Sequence, residues 1–420
     1  MAMKYKLTFE TPSLQKATKE LSPLAGASFN PNLKNFLIEI NPNLNSVKFT
    51  ARDDNTQASV RVKSGVNVED FRKEIPVASS EEESSHIFAL DAKKFSALVG
   101  QFVSERTFLE ISPTECLVKS GTGKYSFDIM SGNDFPRIQV PRGQEESSLV
   151  ANPAKLIDGL KFCSFSLTKA NKNIESNLET IKFDLGEKSF KISATDRYRF
   201  SFFNDLEPPE QQKEQTFCLS SGGADYLVKT FLAEEDAGDE FLFDIIGENV
   251  FYAGFFLSEY EKEVYISLLD ALTYPDILKN VQEKFQDEKG NFVYLADINL
   301  DKKELNKALS RMKLMVDERN HQIVLTAEKD KFEMKVQSRQ YSGTKSATEE
   351  VHFEDMVIKE DGEKEGSSAS VALNCGFLLD SVKFFDSEQI HLLVLGENKP
   401  IILYGENIAE KYLLIMNQQL

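Results

Sequence analysis

One pattern of apolar and polar positions occurs three times along the chain, at residues 88–99, 217–228 and 371–382. Each copy begins with a short apolar run, typical of a strand end, and continues with apolar residues at helical spacing. Between the two stands a residue that can cap a helix, namely Asp91, Ser220 or Asn374. The copies begin 129 and 154 residues apart, and a period of this length indicates repeated domains rather than a short-repeat solenoid.

A second strand-and-helix unit opens each third of the chain. Residues 4–10 alternate polar and apolar before Thr11-Pro12, Asn152-Pro153 is again a capping residue followed by proline, and residues 292–299 read as a strand that ends in a cap at Asn299. The helices that follow carry apolar stripes: Leu14, Ala17 and Leu21; Leu156, Leu160 and Cys163; and Leu305, Ala308, Leu309 and Met312.

These units, with strand-like runs between them, predict an α+β fold. Because a helix with one apolar stripe must cover one face of a sheet, each third should form a domain with two helices packed on antiparallel sheet. We place the three tandem domains at residues 1–143, 144–285 and 286–420. A length of 420 residues agrees with about three domains at the usual ~150 residues each.

The composition excludes several classes of protein. The four cysteines, Cys116, Cys163, Cys218 and Cys375, form no CxxC pair, which argues against a zinc site and a disulfide framework. No catalytic motif is present, so we expect neither an enzyme nor a cofactor or metal. The first residues lack the apolar stretch of a signal peptide, and no apolar run approaches the ~20 residues that span a bilayer. We therefore expect a soluble, cytoplasmic protein.

Gly121-Thr122-Gly123-Lys124 looks like part of a phosphate-binding loop. The next residue is Tyr125 rather than Ser or Thr, and the spacing of a P-loop is missing. The segment lies between two strand-like runs, so it predicts a hairpin turn, which glycine favours.

Positive charge is concentrated on two predicted helices, although the net charge is −18. Lys303, Lys307 and Arg311 recur at i, i+4 and i+8, so they share one helix face. The helix that opens the second third carries further lysines: Lys155, Lys161, Lys169 and Lys172. One such face alone would be an ordinary solvated surface. Two corresponding basic helices favour a surface that contacts a polyanion through its phosphates, without reading bases.

The chain resembles the bacterial DNA polymerase III beta subunits, the sliding clamps. The resemblance runs end to end and is strongest at residues 117–136 and 194–199, at Tyr274-Pro275-Asp276 and over the last ~50 residues. It implies a head-to-tail homodimer that closes into a ring, with helices lining the hole and sheets outside. Such a ring encircles duplex DNA without sequence preference. It tethers the DNA polymerase III alpha subunit, the clamp loader and other proteins that carry clamp-binding motifs.

The resemblance also assigns roles to individual residues. The DNA-facing residues would be Lys16, Lys19, Lys155, Lys161, Lys169, Lys303, Lys307 and Arg311. The dimer would be closed by Tyr125 and Phe127 on one side and by Leu314 and Met315 on the other. A peptide-binding pocket would be formed by Leu178, Thr195, Arg197, Tyr198, Arg199, Phe200, Pro275, Lys279, Asn374, Leu414, Ile415 and Met416.

The chain departs from the family pattern at the pocket. The usual Thr-Asp-Gly-His-Arg-Leu is replaced by residues 195–200, which place Arg197 at the glycine and Phe200 at the leucine. Lys279 stands where arginine is common, and Asn417 where proline is common. These changes predict a reshaped pocket. For Phe200, Leu414 and Ile415 plain core packing is an equal alternative.

Two other functions stay open at this point. One is a divergent clamp dedicated to a specialised or mobile-element polymerase, which Arg197, Tyr198 and the acidic loops motivate. The other is an acidic scaffold that keeps the clamp fold but does not encircle DNA, against which the basic helices argue.

Overall fold

The computed structural model describes twelve stretches of the chain, and all structural statements below concern these. They are residues 5–25, 30–71, 87–139, 146–167, 176–207, 214–233, 241–247, 249–271, 274–317, 319–340, 343–359 and 368–418.

The described residues form 27 strands and seven α-helices. The first third contains β1 (Tyr5–Glu10), α1 (Thr11–Ala25), β2 (Asn35–Asn41), β3 (Ser46–Arg52), β4 (Thr56–Val62), β5 (Val66–Asp70), β6 (Ile87–Asp91), α2 (Ala92–Val99), β7 (Arg106–Ile111), β8 (Glu115–Ser120), β9 (Gly123–Asp128) and β10 (Met130–Ser131). The second contains β11 (Glu146–Ala151), α3 (Pro153–Ser164), β12 (Thr180–Gly186), β13 (Ser189–Thr195), β14 (Arg199–Leu206), β15 (Gln215–Ser220), α4 (Ser221–Tyr226), β16 (Phe241–Ile246), β17 (Val250–Phe256), β18 (Tyr260–Ser267) and α5 (Ile277–Phe285). The third contains β19 (Ala296–Asp301), α6 (Lys302–Lys313), β20 (Gln322–Glu328), β21 (Lys331–Gln340), β22 (Gly343–Glu350), β23 (Phe353–Ile358), β24 (Ser368–Asn374), α7 (Cys375–Val382), β25 (Gln389–Val394), β26 (Ile401–Tyr404) and β27 (Lys411–Ile415).

One element order, strand-helix-strand-strand-strand, occurs six times in this succession, twice in each third. The six repeats begin at β1, β6, β11, β15, β19 and β24. Only β5, β10, α5 and β23 stand outside them in the described residues. The structure thus confirms the α+β fold class and the two strand-and-helix units expected in each third.

The chain folds into two compact units, one of residues 1–153 and 222–269, the other of residues 154–221 and 270–420. The first unit contains a five-stranded sheet in the order β5-β1-β7-β8-β9 and a nine-stranded sheet in the order β10-β6-β2-β3-β4-β18-β17-β16-β11. Neighbouring strands in both are antiparallel.

The second unit is built in the same way. Its nine-stranded sheet has the order β15-β12-β13-β14-β27-β26-β25-β19-β23, and its four-stranded sheet has the order β22-β21-β20-β24. In each sheet, the first strand of one repeat is joined to the last three strands of another repeat. In the four-stranded sheet, for example, β24 is the first strand of its repeat, and β20, β21 and β22 are the last three strands of theirs. Each nine-stranded sheet also joins two repeats edge to edge through their last strands, at β4–β18 and at β14–β27.

The nine-stranded sheet of the second unit is covered on both faces. Helix α3 lies on one face, where the ideal Cβ position of Gly159 would be 2.8 Å from the Phe203 ring. The preceding residue of the strand, Phe202, points to the opposite face, as strand geometry requires. There it packs in a core cluster with Tyr412 and with Val281 of α5.

The structure confirms most of the local predictions. The side chain of Asp91 accepts a hydrogen bond from the Lys94 amide to cap α2, and Asn374 caps α7. The predicted apolar stripes of α1, α3 and α6 are buried. Gly121 has a φ of +56° in the turn that joins β8 to β9, so the glycine-rich segment is the predicted hairpin.

Two predictions were wrong in detail, and one helix was missed. Asn299 is not a cap, because β19 continues two residues further and the Asp301 side chain accepts from the Glu304 amide to cap α6. Thr11 is the first residue of α1 rather than the residue before it. Helix α5 was not predicted, although Asp276 caps it by accepting from the Lys279 amide. Within the described residues, no helix combines the length and the apolar character needed to cross a membrane.

Candidate functional site

The turn between β13 and β14 is organised by Asp196. Its Oδ1 accepts hydrogen bonds from the backbone amides of Tyr198 (3.0 Å) and Arg199 (2.7 Å). Its Oδ2 accepts from Nε (2.8 Å) and Nη2 (2.6 Å) of the Arg199 side chain. Thr195 adds a bond from its Oγ1 to the carbonyl oxygen of Arg199. The turn is therefore held by both backbone and charged side-chain bonds, which are the stronger kind.

Arg197 stands in this turn with a φ of +73°. This left-handed region is one that glycine adopts readily and that side chains with a Cβ rarely adopt. The Arg197 amide donates to Thr195 Oγ1 at 3.1 Å, and its side chain is exposed. Arg197 thus has a backbone conformation suited to glycine, the residue that the sequence resemblance implies at this position.

Arg199 is enclosed by two aromatic rings. Its guanidinium carbon lies 4.4 Å from the ring centroid of Phe165 and 4.4 Å from that of Phe377. Tyr198 lies next to Phe377, with ring centroids 6.3 Å apart, and Phe384 lies 4.9 Å from Phe165. Sequence reasoning missed these three phenylalanines, because a phenylalanine in the sequence reads equally well as a core residue.

Strand β27 brings the end of the chain to this turn. It pairs with β14 so that Phe200 stands opposite Leu414. Just beyond the pairing, the Met416 amide donates to the carbonyl oxygen of Tyr198 at 2.8 Å. The side chains of Tyr198 and Met416 are 64% and 41% exposed, so two large apolar groups reach solvent at neighbouring positions.

Five of the twelve predicted pocket residues are buried. Phe200 and Leu414 belong to the core cluster that also holds Val281 of α5. They therefore lie in the core below the turn rather than lining an open surface. The complete buried set is Leu178, Thr195, Phe200, Leu414 and Ile415.

Three further predicted residues lie on α5 or just before α5 and α7. Asn374 is half-buried, and its Oδ1 accepts from the amides of Gly376 and Phe377, so it fixes the start of α7 and thereby Phe377. Pro275 is half-buried just before α5. Lys279 is exposed on α5, with its Nζ 3.9 Å from the Glu283 carboxylate. All twelve residues belong to the second compact unit.

The basic face of α6 is exposed, as the spacing predicts. Lys303, Lys307 and Arg311 are solvent-accessible on the side opposite the buried stripe. Arg311 donates from Nε to Glu349 Oε1 at 3.1 Å, and this bond raises the pKa of the guanidinium.

The other predicted DNA-facing residues lie on α1 and α3. Lys19 and Lys161 are exposed. The Nζ of Lys16 lies 3.9 Å above the Tyr260 ring, and that of Lys155 lies 2.9 Å from Asp205, whose hydrogen bond raises the pKa of the lysine. Lys169 lies outside the described residues.

The predicted dimer residues lie at sheet edges or helix ends. Tyr125 and Phe127 are on β9, the last strand of the five-stranded sheet, where they pack on Phe102 and Phe95. Leu314 follows α6 and is 84% exposed, and Met315 beside it is half-buried. In the described residues, β22 is the corresponding last strand of the four-stranded sheet.

No metal centre is evident in the described part of the chain, where no three His, Cys, Asp or Glu side chains stand in ligand geometry. The four cysteines are buried and free.

Part of the chain matches the model of a known protein family. Residues 294–418 match the model of the C-terminal domain of the DNA polymerase III beta subunit. A beta sliding clamp of Pseudomonas putida is 19% identical over 317 residues, which cover 74% of this chain and 76% of that protein.

Solved structures share the fold along the full length. The DNA polymerase sliding clamp of Bacillus subtilis superposes with a TM-score of 0.79 at 16% identity, covering 99% of this chain and 100% of that one. The beta subunit of Thermotoga maritima gives a TM-score of 0.77 at 18% identity, with coverage of 99% and 100%. The chain is therefore similar to the bacterial DNA polymerase III beta subunits, in sequence over residues 294–418 and in fold over its full length.

Proposed function

We propose that the chain is a DNA sliding clamp, a non-catalytic processivity factor that encircles duplex DNA and tethers a DNA polymerase to it. The observation that carries the proposal is the match of residues 294–418 to the C-terminal domain of this family, within a chain that has the clamp fold over its whole length. The domains would be residues 1–143, 144–285 and 286–420, with two repeats in each.

Strand pairing supports a head-to-tail dimer. The last strands of four repeats pair within the chain, as β4 with β18 and β14 with β27. The last strands of the other two repeats, β9 and β22, stand at sheet edges. An unpaired edge is a template for another strand. In the other four repeats, each last strand pairs with the last strand of another repeat. By the same pairing, β9 of one chain would pair with β22 of a second chain, and two such contacts would close a ring.

The exposed side chains support the same contact. Leu314 is one of the most exposed large apolar residues in the described part of the chain, and Tyr125 on β9 is also exposed. Large apolar side chains of this kind favour burial in an interface core. Tyr125 and Phe127 of one chain would meet Leu314 and Met315 of the other.

Basic residues in a chain of net charge −18 explain how such a ring would hold DNA. Lys303, Lys307 and Arg311, with the lysines of α1 and α3, would contact phosphates without reading sequence. The acidic remainder would repel DNA that is not threaded through the ring. Retention would be topological, so the ring could slide while raising the local concentration of its partners at the DNA.

The partners would be proteins with short clamp-binding motifs: the DNA polymerase III alpha subunit, the clamp loader and other DNA-metabolism proteins. Their peptides would bind the surface around Tyr198 and Met416, where apolar side chains reach solvent beside positive charge. Binding to duplex DNA of this kind would place the protein in the cytoplasm.

Sedimentation equilibrium tests the ring. We expect a mass of two chains of 47.5 kDa each at micromolar concentration. A single-chain mass across that range would contradict a closed dimeric ring.

A further inference from the structure

Exposed side chains of opposite charge stand on the two strand edges that would meet in the ring. On β9, the ring of Phe127 packs on α2, so Lys124, three positions away, points to the other face of the sheet. On β22, Glu349 accepts hydrogen bonds from α6, so its neighbour Glu350 also points away from the helices. Lys124 and Glu350 are both exposed, and they would lie on the same face of a continuous sheet.

The β9 edge carries an excess of positive charge at this point. Lys124 stands directly opposite Lys119 of β8, and the Lys119 ammonium lies 2.6 Å from the Glu110 carboxylate. Like charges directly opposite each other destabilise an antiparallel strand pair. These three groups carry a net charge of +1, which a carboxylate on the next strand would balance.

The β22 edge carries the reverse charge. Glu350 stands directly opposite Glu333 of β21, so this pair too consists of like charges. Lys331 lies 2.6 Å from Glu333, and its pKa is raised by the hydrogen bond to Glu333 and by the charge of Glu350. These three groups carry a net charge of −1, which a cation on the next strand would balance.

A junction within the chain shows how two last strands align. In the β4–β18 pair, the first residue of β4, Thr56, stands opposite the seventh residue of β18, Ile266. The strands β4, β18, β9 and β22 each begin with a residue that pairs with the residue three positions earlier in the chain, so positions can be counted from these starts. The same alignment places the first residue of β22, Gly343, opposite Ile129, the seventh position counted from the start of β9.

This register matches side chains in size and charge. It places Tyr125 of one copy opposite Ala347 of the other, so a large ring meets a small side chain. It places Lys124 opposite Thr348, with Glu350 as the diagonal neighbour on the same face. Diagonal neighbours are within reach of long side chains. A shift of one residue would instead turn the helix-side face of one strand toward the outer face of the other.

The corresponding position of the β4–β18 junction already holds an ion pair. Counted from the starts of the strands, Lys63 corresponds to Glu350, and Glu261 corresponds to Lys124. The Nζ of Lys63 lies 2.5 Å from Oε1 of Glu261. The contact between two copies would therefore repeat a geometry that the chain itself shows, with the two charges exchanged.

We propose that two copies of the chain join in this register through an ion pair between Lys124 of one copy and Glu350 of the other. The exchanged charges also discriminate between partner strands. If β9 paired with β4 instead of β22, Lys124 would meet Lys63, and like charges reject a wrong partner. The proposal rests on the proposed function, since it takes the dimeric ring as given and adds the register and the contact that select the partner strand.

Charge reversal tests the ion pair. The dissociation constant of the dimer is measured by mass photometry on dilution of the full-length protein. Lys124→Glu and Glu350→Lys should each raise this constant about tenfold or more, because two like-charge contacts per ring replace two ion pairs. The two substitutions together should recover most of the loss. Lys284→Glu, on the exposed side of α5, is the control with the same change in charge and should leave the constant unchanged.

The outcomes separate this proposal from the ring itself. Single variants that dimerise as tightly as the wild type, or a double variant that does not recover, would overturn the ion pair and leave the ring in place. A wild-type protein that is monomeric at every concentration would overturn the ring, and this proposal with it.

Disulfide crosslinking tests the register independently. Ser126→Cys with Ser346→Cys places two thiols directly opposite each other in the proposed register, whereas Ser126→Cys with Thr348→Cys places them two positions apart. All three positions are exposed, and the four native cysteines are buried. Under mild oxidation the first variant should form a covalent dimer faster. Equal or faster linkage of the second variant, or no linkage of the first although it is dimeric, would overturn the register.

Discussion

Asp196 shows how one side chain can order a candidate binding surface. Its carboxylate is nearly buried and holds two backbone amides and the Arg199 side chain. The Arg199 guanidinium also contacts the aromatic ring of Phe377, and this contact links the turn to α7. The exposed groups, Arg197 and Tyr198, thus stand on a turn whose conformation does not depend on a ligand. Such preorganisation lowers the cost of binding.

The Asp196→Asn substitution tests this arrangement. It keeps an oxygen for the backbone amides but loses the charge that pairs with Arg199. We expect the free energy of unfolding to fall by about 2 kcal/mol, because the pair is largely shielded from solvent and its hydrogen bonds are charge-assisted. Urea denaturation measures this change.

Asp380→Asn is the matched control for that substitution. Asp380 pairs with Lys383 at 2.9 Å in the same unit, but both side chains are about half exposed. An exposed pair of this kind contributes about 0.5 kcal/mol or less. Equal losses for the two variants would mean that the Asp196 network adds nothing beyond a surface ion pair.

The cysteines give a prediction that depends on pH. Burial raises the pKa of the Cys218 and Cys375 thiols from 9.0 to about 11, and that of Cys116 to about 12. Because the thiolate is the reactive form, these thiols should react far more slowly with a disulfide reagent in the native protein at pH 8 than in urea. Rapid labelling of the native protein at that pH would contradict the burial.

The same pKa shifts predict how the stability of the protein changes with pH. The unfolded thiols ionise near pH 9.0, whereas the folded ones stay protonated to about pH 11. The folded state therefore binds more protons in this window, and the free energy of unfolding should decline as the pH rises through it. Replacing Cys218 and Cys375 by alanine should make that decline shallower.

The strand-and-helix repeats were predictable because each carries its own local signals. The caps Asp91 and Asn374 and the apolar stripe of α6 follow from side-chain chemistry and helical spacing. The cap of α6 was misplaced because Asn299 and Asp301 are both good capping residues, and sequence alone does not say where β19 ends. The end of the strand is set by its pairing with β25.

Helix α5 shows a signal that could have been read. Asp276 precedes apolar residues at positions 277, 278, 281 and 285, which fit one helix face. The helix covers the sheet face away from α3 and belongs to none of the repeats. The repeated pattern alone therefore did not predict it. The aromatic enclosure of Arg199 was beyond sequence reasoning, because Phe165 and Phe377 are 212 positions apart and meet only through the fold.

The basic face of α6 can be tested as a unit. The triple substitution Lys303→Glu, Lys307→Glu, Arg311→Glu should strongly reduce DNA binding, since three attractive charges per chain become repulsive toward phosphate. The affinity of this variant should also depend less steeply on salt, by about 0.9 in the log–log slope for each phosphate that is no longer neutralised. Titration of duplex DNA at several salt concentrations measures both effects.

A control with the same change in net charge separates the face from general repulsion. Lys284 and Lys289 lie on or just after α5, and Lys399 lies in the turn before β26, all three exposed. Changing these three to Glu should weaken DNA binding much less. An equal loss would attribute the effect to net charge rather than to α6.

The assembly depends on features that no single element reveals. Four last strands of the six repeats pair within the chain, and β9 and β22 are left at sheet edges. Closing the ring by a second copy would satisfy both edges and bury Leu314, which is otherwise 84% exposed. Sequence patterns could predict two strand-and-helix units in each third of the chain, but not which strand edges stay open.

The double substitution Leu314→Glu, Met315→Glu should convert the dimer to a monomer, because two charges per chain would enter an apolar interface. The solution mass by light scattering measures the outcome. The control is Leu44→Glu with Val293→Glu, two exposed apolar residues away from the proposed contact, which should remain dimeric. A double mutant at Leu314 and Met315 that keeps the wild-type mass would place the interface elsewhere.

Retention on DNA tests the clamp most directly. The protein is loaded onto nicked circular duplex by a bacterial clamp loader, the complex is isolated by gel filtration at high salt, and the circle is then cut once. A ring held only by topology should remain on circles and leave within minutes of linearisation. Release that is equally fast before and after cutting would show ordinary electrostatic binding. Encirclement would also be contradicted if the protein is dimeric and the loader is present, but the protein never stays on circles.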